Sequence, residues 1–195
     1  MDNPLLRYDC EANALNPDNG NIPKPSIINI IGSSIGRALQ EHPINIHTYE
    51  GNIHHNHFLF SAGEAQLENV PKFFQHANSL IAREVNKTWK REGALFTRAR
   101  IEACEGNQSA EDRVLYALTN SMKDGLVEKV RHSPFFSTFM HQSKGDSLRF
   151  WYIDWAAYWT KGGSANTKHH PKDYLEWITW ETTPLPHLAD LTVHQ

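Results

Sequence analysis

The run Ile53-His54-His55-Asn56-His57-Phe58-Leu59-Phe60 sets two imidazoles two residues apart, just ahead of a short apolar stretch. In an extended strand, side chains at i and i+2 share a face. His55 and His57 therefore stand beside Ile53 and Leu59, with Phe58 and Phe60 on the opposite side. Such a pair offers neutral nitrogen ligands to a divalent metal, which needs one further donor from elsewhere in the chain. A polar strand edge facing water has the same spacing, and a lone His-x-His is a short motif, so both readings stand until the surroundings are weighed.

A second constellation is electrostatic. Between positions 83 and 100 the chain carries Arg83, Lys87, Lys90, Arg91, Arg98 and Arg100 against Glu84 and Glu92, a local balance of +4 within a chain of net charge -3. A solvated helix face explains such a run, and so does a surface for phosphates. Trp89 and Phe96 could stack on bases, although aromatics at helical spacing more often pack in a core.

The elements that must position these residues follow from periodicity. Residues 1–25 hold Asn16-Pro17-Asp18-Asn19-Gly20 and Pro23-Lys24-Pro25 and predict an irregular arm. From Ser26, Ile27, Ile31, Ile35 and Leu39 recur every four residues and predict a helix ending before Pro43, with Gly32 and Gly36 weakening it. Ile44 to Tyr49, then Glu50-Gly51-Asn52, then the histidine run, predict a β-hairpin in which a three-residue turn would set His47 opposite His55. Asn69 and Pro71 suit a helix start, and Phe73, Phe74, Ala77, Leu80, Ile81, Val85 and Trp89 extend one apolar face into the longest helix. A strand over 94–101 and a helix opening at Ser109 and closing at Asp124-Gly125 complete this part. Residues 145–195 differ in character. They hold five of the six tryptophans and predict a strand over 174–182, so the chain divides into an arm at 1–25, a main domain at 26–144 and an aromatic-rich C-terminal extension packed on it.

The composition sets outer bounds. With 195 residues, 39% hydrophobic and 21% charged, the chain is about one domain with an ordinary core. Cys10 and Cys104 are too few for a disulfide framework or a zinc cluster. No run approaches the roughly 20 apolar residues of a membrane span, and the N-terminus lacks signal-peptide features, so a cytoplasmic protein without a membrane partner is expected.

The order of these segments carries a resemblance. His47-Thr48-Tyr49, His55 to Leu59, Asn78 to Asn86, and Tyr116 to Val127 together resemble the IS200-like family of single-tyrosine (HUH-type) transposases, in its repeat-associated branch, over roughly residues 27 to 135. The resemblance implies a ferredoxin-like α+β domain built on an antiparallel sheet. It implies Mg2+ or Mn2+ held by His55 and His57, with Asn86 or Glu84 completing the shell. It also implies a helix tyrosine that attacks a phosphodiester of single-stranded DNA. The chain departs from the family in having Asn56 between the histidines, His54 where asparagine is usual, and Glu50 and Gly51 in place of apolar strand residues. Ser121 stands in the place of a proline, and no first strand with paired arginines precedes Ser26. The helix expected to carry the nucleophile, Leu80 to Asn86, has no tyrosine, and Tyr116 is the nearest substitute.

Two functions are therefore expected. In the first, a transposase grips single-stranded or hairpin DNA with the 83–100 face and cuts it at the His55/His57 metal site. In the second, a non-catalytic derivative binds such DNA without cutting; without a tyrosine on helix 80–86 this is the expected behaviour, with no covalent adduct. A small metal-dependent hydrolase without a nucleic-acid partner is a third, weaker alternative. Whether the chain forms a homodimer is left open.

Overall fold

The computed structural model describes residues 5–12, 25–51, 55–123, 125–133, 135–142, 147–165 and 168–189, with the backbone alone for 5–12, 25, 26, 55, 97–99, 140 and 164. The elements run β1 (Leu5–Ala12), α1 (Pro25–Glu41), β2 (Asn45–Gly51), β3 (His55–Ser61), α2 (Asn69–Trp89), β4 (Phe96–Ala103), α3 (Asn107–Lys123), α4 (Phe139–Gln142), β5 (Leu148–Ile153), α5 (Trp155–Thr160) and β6 (Leu175–Trp180). The first six form a β-α-β-β-α-β unit whose sheet has the order β2-β3-β1-β4, antiparallel throughout, which is the ferredoxin-like arrangement.

The expected irregular arm is corrected here. Leu5–Ala12 is a strand between β3 and β4, paired Leu5 with Ser61 on one side and Leu6 with Ala103 on the other. Its local sequence is a weak strand former; two flanking ladders supply the backbone partners that make it one. The expected hairpin is present, with Gly51 opposite Asn56, and its turn at 52–54 lies outside the described residues. Glu50 and Gly51 belong to the strand and not to the turn. The register that sets Gly51 opposite Asn56 and Thr48 opposite Leu59 puts His47 toward the other end of the ladder, so it does not face His55, and a bulge between Ile46 and Thr48 takes His47 out of the pairing. Its buried ring instead lies 2.9 Å from Ser61 Oγ and 3.1 Å from the Thr183 carbonyl. Burial lowers its pKa.

One face of the sheet carries Phe58 and Phe60, which meet Phe73 and Phe74 of α2 edge-on at ring separations of 5.1–6.2 Å. Tyr49, Ile35 of α1 and Phe136 join this core. Asn69 is the first helical residue of α2 and not its cap; its amide reaches the Pro43 carbonyl at 3.3 Å. The opposite face carries Leu59, which is buried with Ala110 of α3 and Leu185. Residues 136–138 run along the outer edge of β2: Gly51 N donates to Phe136 O at 2.9 Å and Thr138 N to Tyr49 O at 3.0 Å, so that edge is not open to another chain. Among the described residues no helix is long and apolar enough to cross a membrane.

The C-terminal extension is a two-stranded antiparallel sheet, Leu148 opposite Trp180 and Ile153 opposite Leu175. It docks on α1 where that helix is narrowest. Phe150 fills the space that a Cβ at Gly32 would occupy, and Trp180 Cδ1 lies 2.8 Å from the Cβ position of Gly36. Trp180 Nε1 donates to the Gly32 carbonyl at 2.9 Å. The two glycines that weaken the helix in isolation are thus the groove that admits the aromatic strands. Gly32→Ala is expected to lower stability by about 1–3 kcal/mol through overpacking, although alanine gains roughly 1 kcal/mol in helix propensity. Thermal unfolding checks this, and an unchanged or raised midpoint would show that Phe150 can move aside without loss.

Candidate functional site

His57 is nearly buried on β3, and its ring faces α3. The ring of Tyr116 meets it edge-on, with centroids 6.1 Å apart and planes at 86°. One helical turn further along, Asn120 Nδ2 lies 3.4 Å from His57 Nε2. Residues four apart on a helix share a face, and that spacing lets Tyr116 and Asn120 flank one imidazole. Asn120 is buried, while Tyr116 keeps 39% of its surface exposed and so can be reached from solution. Lys123 Nζ sits 4.4 Å from the centre of the Tyr116 ring and brings a positive charge to the mouth of the site.

The end of α3 is fixed by its cap. Gly125 N donates to Met122 O at 3.0 Å, Leu126 N to Ser121 O at 3.0 Å, and Gly125 has φ +69, the left-handed conformation that glycine adopts readily. Ser121, next to Asn120, turns its hydroxyl to Glu50 Oε1 at 3.1 Å. Glu50 is fully buried on β2, directly across the ladder from His57, and its Oε2 has no hydrogen-bond partner. Burial pushes its carboxyl up to about 7, with the Ser137 and Ser121 hydroxyls opposing the shift.

Two of these groups carry donor atoms suited to a divalent ion. His57 supplies an imidazole nitrogen, and the Asn120 amide is beside it and can present Oδ1 if turned end for end. His55 is in β3 with its backbone opposite Glu11; its side chain lies outside the described residues.

Asn86 is corrected as a site residue. It lies on α2, which packs on the Phe58/Phe60 face, and its amide closes the C-terminal turn of that helix: Nδ2 donates to Gly93 O at 2.9 Å, and Oδ1 accepts from Arg91 Nη1 at 3.2 Å. The helix that faces His57 is α3, so the absence of a tyrosine from 80–86 does not remove a tyrosine from the histidine. Sequence reasoning missed Asn120, Ser121 and Glu50. The i, i+4 spacing of Tyr116 and Asn120 was the available signal.

The basic segment is only partly a free surface. Arg83 is exposed, 3.7 Å from Glu84, and Lys90 is exposed at the helix end with φ +51. Arg100 is exposed and pairs with Glu102 at 2.5 Å, and Arg91 is half-buried against Asn86. Lys87 is exposed overall but holds its ammonium over the Trp155 ring, 2.8 Å from the centroid, where desolvation lowers its pKa. The Arg98 side chain lies outside the described residues.

A four-stranded antiparallel sheet with two helices on one face is a ferredoxin-like α+β fold, to which a third helix adds tyrosine and asparagine over a strand histidine on the other face. No protein-family model matches the chain, and no curated protein matches it. A solved structure, that of the REP-associated tyrosine transposase bound to a REP hairpin, shares the fold with a TM-score of 0.62 at 14% sequence identity, over 74% of this chain and 81% of that one.

Proposed function

We propose that this chain binds single-stranded or hairpin DNA and cuts it through Tyr116, the covalent step from which strand transfer in DNA transposition proceeds. The observation that carries the reading is the placement of a solvent-accessible tyrosine edge-on to a buried strand histidine, with Asn120 one turn away beside the same ring. The likeness in fold to a transposase bound to a hairpin supports it.

In this mechanism the phenol oxygen of Tyr116 attacks the phosphorus of a bound strand as its proton leaves to solvent. A phosphotyrosyl bond forms, the bond from phosphorus to the neighbouring nucleotide breaks, and that sugar oxygen is released as a hydroxyl. A Mg2+ or Mn2+ ion held by His55, His57 and the Asn120 amide would draw charge from a phosphate oxygen. Lys123 is positioned to meet the phosphate next to Tyr116. Arg83, Lys87, Lys90 and Arg100 are exposed basic residues on other elements, the first three on α2 or its end across the sheet from Tyr116, and Arg91 is half-buried against Asn86.

Incubating the full chain with a single-stranded hairpin and Mn2+ tests both halves. Binding should weaken with salt at a log-log slope of about -0.7 per phosphate neutralised, and Lys123→Ala, beside Tyr116, should flatten that slope by about one contact. A band that survives denaturation should accompany the shift. Salt-dependent binding with no such band would make the chain a non-cutting DNA binder, and no binding at all would refute the DNA reading.

A further inference from the structure

We propose that Glu41, His42 and His76 form a second metal site, distinct from the His57 site and selective for zinc-class ions. The three residues stand where the C-terminal end of α1 meets the middle of α2, helices that cover the face of the sheet opposite His57. One ligand atom from each lies within 4.8 Å of the others.

Four observations converge on a cation. His76 Nδ1 is buried and makes no hydrogen bond, and the charged group beside it is the Glu41 carboxylate, an ion pair when the imidazole is protonated and a ligand pair when a metal takes the proton's place. Its distance to Glu41 Oε2 is 3.4 Å. Two donors on one tetrahedral zinc, each about 2.0–2.1 Å from the metal, stand about 3.4 Å apart, so this pair is already at ligand spacing. The His42 and His76 rings meet edge-on with centroids 5.7 Å apart, and a modest rotation of His42 would complete the triangle. Finally, α1 ends here with no basic residue in its own last turn, and the negative end of its dipole adds to the attraction for a cation.

The donor set chooses the ion. Two imidazoles and one carboxylate suit Zn2+ and its neighbours and leave a fourth position for water, whereas Mg2+ demands mostly oxygen ligands in an octahedron. Glu41 is largely exposed, with 64% of its side chain accessible, so the ion has a path in from solution. Bound there, it would staple the end of α1 to α2. This inference does not depend on the proposed DNA chemistry.

The test uses the full chain carrying His55→Ala and His57→Ala, stripped with chelator and titrated with Zn2+ by calorimetry. One equivalent should bind, Mg2+ should not compete, and saturating Zn2+ should raise the thermal midpoint by about 5 °C or more. Adding His76→Gln should abolish that equivalent. Glu41→Gln, at a position with 64% of its side chain exposed, should weaken it about tenfold or more. Zn2+ binding that is absent from the parent, or unchanged in both added variants, would overturn the assignment.

Discussion

Tyr116→Phe is expected to abolish the denaturation-resistant protein–DNA band, with at least about a 10³-fold loss of strand cleavage, while leaving hairpin affinity within about twofold of the parent. The reason is the narrowness of the change. The phenylalanine ring keeps the edge-on contact with His57 and the ring beneath Lys123 Nζ, so packing of α3 on the sheet is preserved. What is lost is one oxygen, the nucleophile. Cleavage assayed on a labelled hairpin, with affinity measured in parallel, separates the two effects. A variant that cuts at the parental rate would move the nucleophile elsewhere, and one that loses binding and cutting together would make Tyr116 a contact residue.

Glu50→Gln is expected to stabilise the metal-free protein at alkaline pH. The folded carboxyl titrates at about 7, against an ordinary value of 4.5. A raised pKa means that the folded state holds the proton more tightly, so this group's contribution is fully present below about 4.5 and is lost as pH rises through 7. At 1.36 kcal/mol per pKa unit, the loss approaches ~3 kcal/mol. Glutamine is neutral throughout, can still accept from the Ser121 hydroxyl, and lacks this decline. Urea unfolding in chelator at pH 4.5, 6 and 8 should give the parent a steeper fall than the variant. Parallel curves would mean that Glu50 is charged at little cost and that its burial is relieved by a partner other than Ser121 and Ser137.

Much of the fold was legible in the residues. The four-residue recurrence of Ile27, Ile31, Ile35 and Leu39 marks α1, and the run from Phe73 to Trp89 marks α2, because burial on one face writes a helical period directly into the chain. The alternation of His57 and Leu59 with Phe58 and Phe60 is likewise the two-faced character of β3. Strand β1 was not legible, since Leu5–Ala12 is extended through ladders with β3 and β4 that lie more than 40 residues away. The hairpin register is similarly invisible locally: with Gly51 opposite Asn56, His47 lies several rungs from His55, and a bulge there takes it out of the ladder.

The site was half legible for a topological reason. His57 was identified from its spacing, but its partner was sought on α2. In a β-α-β-β-α-β unit both crossovers are right-handed and place α1 and α2 on the same face. Phe58 and Phe60 already claim that face, so His57, one residue out of phase, must look the other way, where α3 lies. Asn86 and Asn120 are indistinguishable as residue types; only the side of the sheet tells them apart. Glu50 stood out in the sequence as a polar substitute in a strand, but its burial depends on Ser121 arriving from α3 and on residues 136–138 closing the edge of β2.

The central claim is that Tyr116 is the covalent nucleophile of a DNA-cleaving site built around His57. It is tested most directly by digesting the adduct formed between the unmodified chain and a hairpin in Mn2+ and sequencing the nucleotide-linked peptide by mass spectrometry. The linkage is predicted on Tyr116. A nucleotide on any other tyrosine, or firm hairpin binding with no linked peptide at all, would contradict it.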